Sequence, residues 1–192
     1  MTDQLPQEPI LEPLNRVQIL VAMAVTAVIL LLVARLWLLF DSVSPLAVDL
    51  SISALLIGVG IGLGITVASA IVYRLWSGYR KSADYYLELV LKPLIWFDLI
   101  WLGLLPGLSE ELLFRGVMLP AIGLNPFGVF ISSICFGVLH YSGSQQWAYV
   151  IWAAVVGGVL GLSALETGNL LIPIVAHITT NLVSSCMWKV KH

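Results

Sequence analysis

Long apolar runs separated by short polar breaks dominate the chain. One run extends over residues 17–40, a second over 48–73, and several more follow Pro93. Each of the first two is long enough to cross the roughly 30 Å hydrocarbon layer of a bilayer as a helix. Residues 17–32 and 54–71 are near-continuously apolar. They lack the period-two alternation of barrel strands, which excludes a transmembrane β-barrel and predicts an all-α bundle.

The polar breaks set the topology. A turn with Asp41, Ser44 and Pro45 joins the first two runs into a hairpin. The stretch 74–92 is the most polar of the interior, with Arg74, Arg80, Lys81 and Lys92 beside Tyr79, Tyr85 and Tyr86. By the positive-inside rule it lies in the cytoplasm or its equivalent, and Lys189 and Lys191 place the C-terminus on the same side. An even number of crossings must then follow Lys92. Four fit, at about 94–122, 126–141, 146–165 and 170–188, the first bent at Leu105-Pro106-Gly107 or divided there into two segments. The expected fold is a polytopic transmembrane bundle of about six spans. A disordered polar leader occupies 1–15, a transmembrane hairpin and basic cytoplasmic loop 16–92, and a second helix bundle 93–188. Within span two, Gly58, Gly60, Gly62 and Gly64 make two interleaved small-xxx-small pairs suited to close helix packing. Arg35 can snorkel to the headgroups beside Trp37.

Composition agrees: 59% of the 192 residues are hydrophobic and 10% charged, and the mean hydropathy is +0.98. So much apolar surface does not fit inside a water-soluble core. With a net charge of -2 and no basic stripe, nucleic acid is excluded as a partner. Cys135 and Cys186 sit in apolar segments without a CxxC pair, and read as buried free thiols. The first apolar run is too long for a signal-peptide core and its acidic leader (Asp3, Glu8, Glu12) lacks a basic n-region, so it is expected to remain as a span. The tail Lys189-Val190-Lys191-His192 is not a prenylation box. The plasma membrane is the default location, with an organellar or thylakoid membrane as the other choice.

Ionisable side chains inside spans cost several kcal/mol unless they face the bundle interior or a wet cavity. Three places demand a reason: Glu110, Glu111 and Arg115 in GLSEELLFRG; His140 in CFGVLH; and His177 with Asn181 in PIVAHITTN. Successive residues on a helix diverge by about 100°, so Glu110 and Glu111 cannot address one spot, whereas Glu111 and Arg115 at i and i+4 share a face. Glu110 is left as the unpaired carboxylate among Leu113, Phe114 and Val117, suited to a general base. The bland alternative is a solvated acid pair capping a helix after Ser109. For His140 it is an interfacial helix-end histidine packed on Phe136, and for His177 and Asn181 it is interhelical hydrogen bonding. Three consecutive segments each supplying such a group point to convergence on one cavity.

Glu110-Glu111-x-x-x-Arg115, Phe136-x-x-x-His140 and His177-x-x-x-Asn181, in that order on successive hydrophobic segments, resemble the three motifs of the CPBP intramembrane proteases. That family includes the type II CAAX prenyl endopeptidases and bacteriocin-processing proteins. The resemblance covers about residues 94–188, and Gly116 and Thr167-Gly168-Asn169-Leu170 share the family's look. It implies peptide-bond hydrolysis inside the membrane. Glu110 would activate a water with help from His140, while His177 and Asn181 stabilise the oxyanion, and Glu111 and Arg115 form a supporting ion pair. The expected reaction is metal-independent, the other version being a zinc site on Glu110, His140 and His177. The expected partners are a membrane-associated protein or peptide substrate and the lipid bilayer. Two rival readings are a non-proteolytic scaffold or chaperone that keeps the fold, and a small transporter. No inverted repeat supports the transporter.

Overall fold

The structure, a computed structural model, describes residues 14–143 and 146–192. The leader expected at 1–15 falls almost wholly outside the described residues. All regular structure among the described residues is helical.

The first two apolar runs are helices α1 (Arg16–Phe40) and α2 (Ile52–Leu75), which pack on later parts of the chain more than on each other. Asn15 starts α1 with a reciprocal cap: its side-chain oxygen accepts the Gln18 N–H at 3.0 Å, and Gln18 Oε1 accepts the Asn15 N–H at 2.9 Å. Ser51 caps α2 by accepting the Ala54 N–H at 3.2 Å. These caps satisfy backbone donors that a helix start leaves open. Most of α1 points outward, with Val17, Val21, Val25, Val28 and Leu32 exposed, as a lipid-facing span requires.

The basic stretch read as a loop is in fact a helix, α3 (Ser77–Leu91), whose buried residues are Tyr79, Ser82, Ala83 and Leu91. Its apolar face packs against the last two helices of the chain, while Lys81, Asp84 and Glu88 stay exposed.

Next comes a long helical rod. α4 (Asp98–Glu111) runs without interruption into a π-helical stretch (Leu112–Met118) and ends as α5 (Leu119–Ile122). The chain is not divided into two segments at Pro106, and a π-helical irregularity begins later, at Leu112. Pro106 sits inside α4 without ending it. It has no N–H for the Leu102 carbonyl one turn back, and Asn181 Nδ2 donates to that carbonyl at 3.5 Å. Pro120 likewise offers nothing to Gly116, whose carbonyl accepts the Leu46 N–H at 2.9 Å.

α6 (Pro126–Leu139), α7 (Trp147–Thr167) and α8 (Leu171–Lys191) complete the chain. Asn125 caps α6, accepting the Gly128 N–H at 3.0 Å. α7 ends on Gly168, whose φ of 63° is the left-handed geometry that glycine adopts without strain. α2 packs on α8, α6 on α7, and α4 between α1 and α8. The α2–α8 contact is close. A Cβ on Gly62 would lie 2.5 Å from the Ala176 carbonyl, and one on Gly58 2.7 Å from Val175 Cβ. Gly60 and Gly64 touch nothing, so one of the two small-residue pairs does the packing.

Four helices, α1, α2, α7 and α8, are long and apolar enough to cross a membrane. The α4–α5 rod and the shorter α6 bring the bundle to about six crossings. The protein is a multi-pass integral membrane protein.

Candidate active site

Glu110 and Glu111 close α4 and are both buried, at 7% and 0% exposure. Ser109 does not cap a helix start; its hydroxyl donates to the Leu105 carbonyl within α4 at 2.7 Å. The pair therefore lies in the helix interior, and the solvated-cap alternative does not describe it.

The two carboxylates take different surroundings. Glu111 Oε1 accepts from Arg115 Nη1 at 2.6 Å and from His177 Nδ1 at 2.8 Å. Arg115 has no exposed surface. It also donates to the Gly157 carbonyl at 2.8 Å and lies over the Phe136 ring at 4.4 Å. The guanidinium thus joins the π-helical stretch to α6 and α7. Such a buried pair is held by its hydrogen bonds and fails badly if one partner is removed.

Glu110 faces a cavity of about 170 Å³ together with His140, His177 and Asn181. Its Oε2 is buried with no hydrogen-bond partner among the described residues, and His140 Nε2 lies 3.9 Å away. The His140 tautomer follows from its other contact. Nδ1 is 2.9 Å from the Phe136 carbonyl, which can only accept, so Nδ1 carries the hydrogen and a neutral ring has its lone pair on Nε2. His177 is fixed in the same sense, because Nδ1 donates to the Glu111 carboxylate. Glu110 Oε2 and His140 Nε2 are then two acceptors facing each other across a gap. A water molecule donating one hydrogen to each would fit it.

His140 directly follows a short helix, α6. Its 14 residues span about 21 Å at 1.5 Å per residue, well under a bilayer's hydrocarbon thickness. The residue that ends α6 is packed on Phe136 with ring centroids 4.9 Å apart and keeps 16% side-chain exposure.

The sequence analysis missed the cavity's other wall. Tyr79 and Tyr86 of α3, and Tyr149 and Trp152 of α7, line the same space. Tyr86 and Tyr149 stack at 4.8 Å, and Tyr149 lies 6.0 Å from His140. Burial pushes the Tyr79 phenol up to about 12. It does the same at Tyr86, where the Glu110 charge adds to the effect. Both stay neutral donors near pH 7. A signal was present: Tyr79, Ala83, Tyr86 and Val90 recur at helical spacing in the stretch read as a loop.

The residues fit zinc poorly. Among the described residues no group of three or more His, Cys, Asp or Glu side chains is placed to hold a metal ion. Zinc bonds of about 2.0–2.2 Å draw tetrahedral ligand atoms to within roughly 3.5 Å of one another. Glu110 Oε2 and His140 Nε2 stand farther apart than that, at 3.9 Å.

Over 94 residues the chain is 35% identical to the uncharacterized protein YpbD of Bacillus subtilis (strain 168), a stretch covering 49% of this chain and 47% of that relative. The match thus spans about half the relative's length. No solved structure matches. Residues 92–183 match the family described as type II CAAX prenyl endopeptidase Rce1-like. That interval runs from just before α4 into α8 and contains all three polar motifs, so this part of the chain is similar to the Rce1-like family.

Proposed function

We propose that the protein is an intramembrane endopeptidase in which Glu110 activates a water for attack on a peptide bond. The observation that carries this reading is the unpartnered Glu110 Oε2 opposite His140 Nε2 in a shared cavity, while the neighbouring Glu111 is neutralised by Arg115. A free carboxylate and a lone-pair nitrogen make a seat for one water, and the carboxylate is the base.

The reaction balances without another reagent. Glu110 takes a proton as the water oxygen bonds to the carbonyl carbon, and His140 orients the water through its second hydrogen. The oxyanion forms on the Asn181 and His177 side. Collapse breaks the C–N bond, and the departing amine takes the proton from Glu110. The Asn181 amide is a ready donor, held only by a 3.5 Å contact to the Leu102 carbonyl. His177, with Nδ1–H committed to Glu111, donates from Nε2 only when its ring carries both hydrogens. No metal takes part in this scheme. The substrate is a peptide or protein segment that reaches the cavity from the membrane, in keeping with what the family's description names.

Comparing the peptides that accumulate in membranes with wild type and with Glu110→Gln tests the reading. We expect a set of products absent from the variant, and cleavage that survives exhaustive chelation. Identical profiles, with partner proteins still co-purifying, would overturn it in favour of the scaffold. Loss of cleavage on chelation, restored by zinc, would overturn the metal-free version alone.

A further inference from the structure

The site needs donors for an oxyanion, and its imidazoles are poorly placed to be the whole supply. Both His140 and His177 commit Nδ1–H to a fixed acceptor. In their neutral forms they turn lone pairs, not N–H groups, toward the reacting atoms. The other polar groups around the cavity are mostly engaged. Thr180 donates toward the Ala176 and Gly62 carbonyls at 2.9 and 3.2 Å, and Ser185 to the Asn181 carbonyl at 2.6 Å. Tyr79 is engaged with Ser69. Tyr86 and Tyr149 are different. Their hydroxyls have no hydrogen bond to any described residue, and they line the cavity with Glu110.

We propose that Tyr86 and Tyr149 supply neutral hydrogen-bond donors to the substrate carbonyl oxygen as it becomes an oxyanion. The inference rests on the peptidase reading above. The rings are held for this task. Tyr149 is stacked between Tyr79 at 6.2 Å and Tyr86 at 4.8 Å, and Tyr79 packs in turn on Trp152 at 5.7 Å. Pre-set donors in a water-poor cavity stabilise developing charge far more than donors in water do. The Tyr86 phenol stays protonated across the working pH range because burial and Glu110 push it up to about 12. No proton leaves either phenol, so the proton balance of the hydrolysis is unchanged. α3 thereby belongs to the active site, although its residues 77–91 precede the interval matched by the family.

Tyr86→Phe and Tyr149→Phe keep the stacked rings and remove only the hydroxyls. The substrate for the assay is a synthetic peptide spanning a cleavage point defined by products present with wild type and absent with Glu110→Gln. Expected for Tyr149→Phe, and more strongly for the double variant, is a fall in kcat on the order of 100-fold, with KM and melting temperature unchanged. Phenylalanine variants within about twofold of wild type would overturn the inference while leaving the peptidase reading intact. A rise in KM at constant kcat would also overturn it, since that marks ground-state binding, as would a loss confined to Ser184→Ala, the neighbouring cavity hydroxyl. If no Glu110-dependent product exists, the peptidase reading and this inference fall together.

Discussion

Glu110 and Glu111 are adjacent in sequence, yet one carboxylate carries structure and the other is free for chemistry. Glu111 anchors Arg115 and His177 at 2.6 and 2.8 Å, and neither Glu111 nor Arg115 has any exposed side-chain surface. Removing it leaves a guanidinium buried without its counter-ion, which costs about 3–5 kcal/mol. Glu110 has no partner to strand. Glu111→Ala should therefore lower folded yield and thermal stability in detergent sharply, and Glu111→Ala with Arg115→Met should recover part of the loss. Glu110→Ala should leave stability unchanged or raise it. The reverse ranking in a melting experiment would refute the division of roles. The Glu111–Arg115 pair was legible from its i, i+4 spacing, because a local geometry fixes it. The bond from His177 was not, since it joins residues 66 apart in sequence and only the packing of α8 against α4 creates it.

At the level of elements, hydrophobic periodicity located the helices well and said little about their irregularities. The π-helical stretch at Leu112–Met118 was not legible, because a one-residue widening of a helix leaves an apolar pattern nearly intact. Pro106 and Pro120 marked positions where carbonyls lose their donors, but their substitutes, Asn181 and the Leu46 N–H, come from distant segments. α3 was misread because positive charge drew attention away from its apolar face. Glycine spacing in α2 was informative, and here the structure discriminates further. A Cβ at Gly62 collides with the Ala176 carbonyl and Thr179, whereas one at Gly60 meets nothing. Gly62→Ala should destabilise the α2–α8 contact by about 1–3 kcal/mol through overpacking. Gly60→Ala should stabilise by up to about 1 kcal/mol through helix propensity. Reversible unfolding in bicelles would read both, and equal effects would contradict the assigned packing face.

For the whole molecule, the ends of the bundle are distinct. Arg16 grips Asp98 at 2.7 and 2.8 Å, which brings the starts of α1 and α4 to one end. Asp84, Glu88 and Lys92 meet Trp188, Lys189 and His192 around a common cleft, so α3 and the end of α8 share that end too. By the positive-inside rule it faces the cytoplasm or its equivalent. The opposite end is laced shut by the 41–51 segment. Asn169 exchanges two hydrogen bonds with the Asp49 backbone at 3.0 and 2.9 Å, and the Leu170 N–H reaches the Ala47 carbonyl at 2.8 Å. The cavity is lined by α3 and the start of α7, so under the proposed peptidase reading the substrate would enter from the α3 end, past Tyr86 and Tyr149. Single cysteines at Lys81 and Leu124, in a chain whose Cys135 and Cys186 are replaced by serine, test this arrangement with a membrane-impermeant maleimide. Lys81→Cys should label only from the cytoplasmic side and Leu124→Cys only from the other. Labelling of both from one side would mean that the α4–α5 rod does not cross the membrane, and the access route through α3 would fall with it.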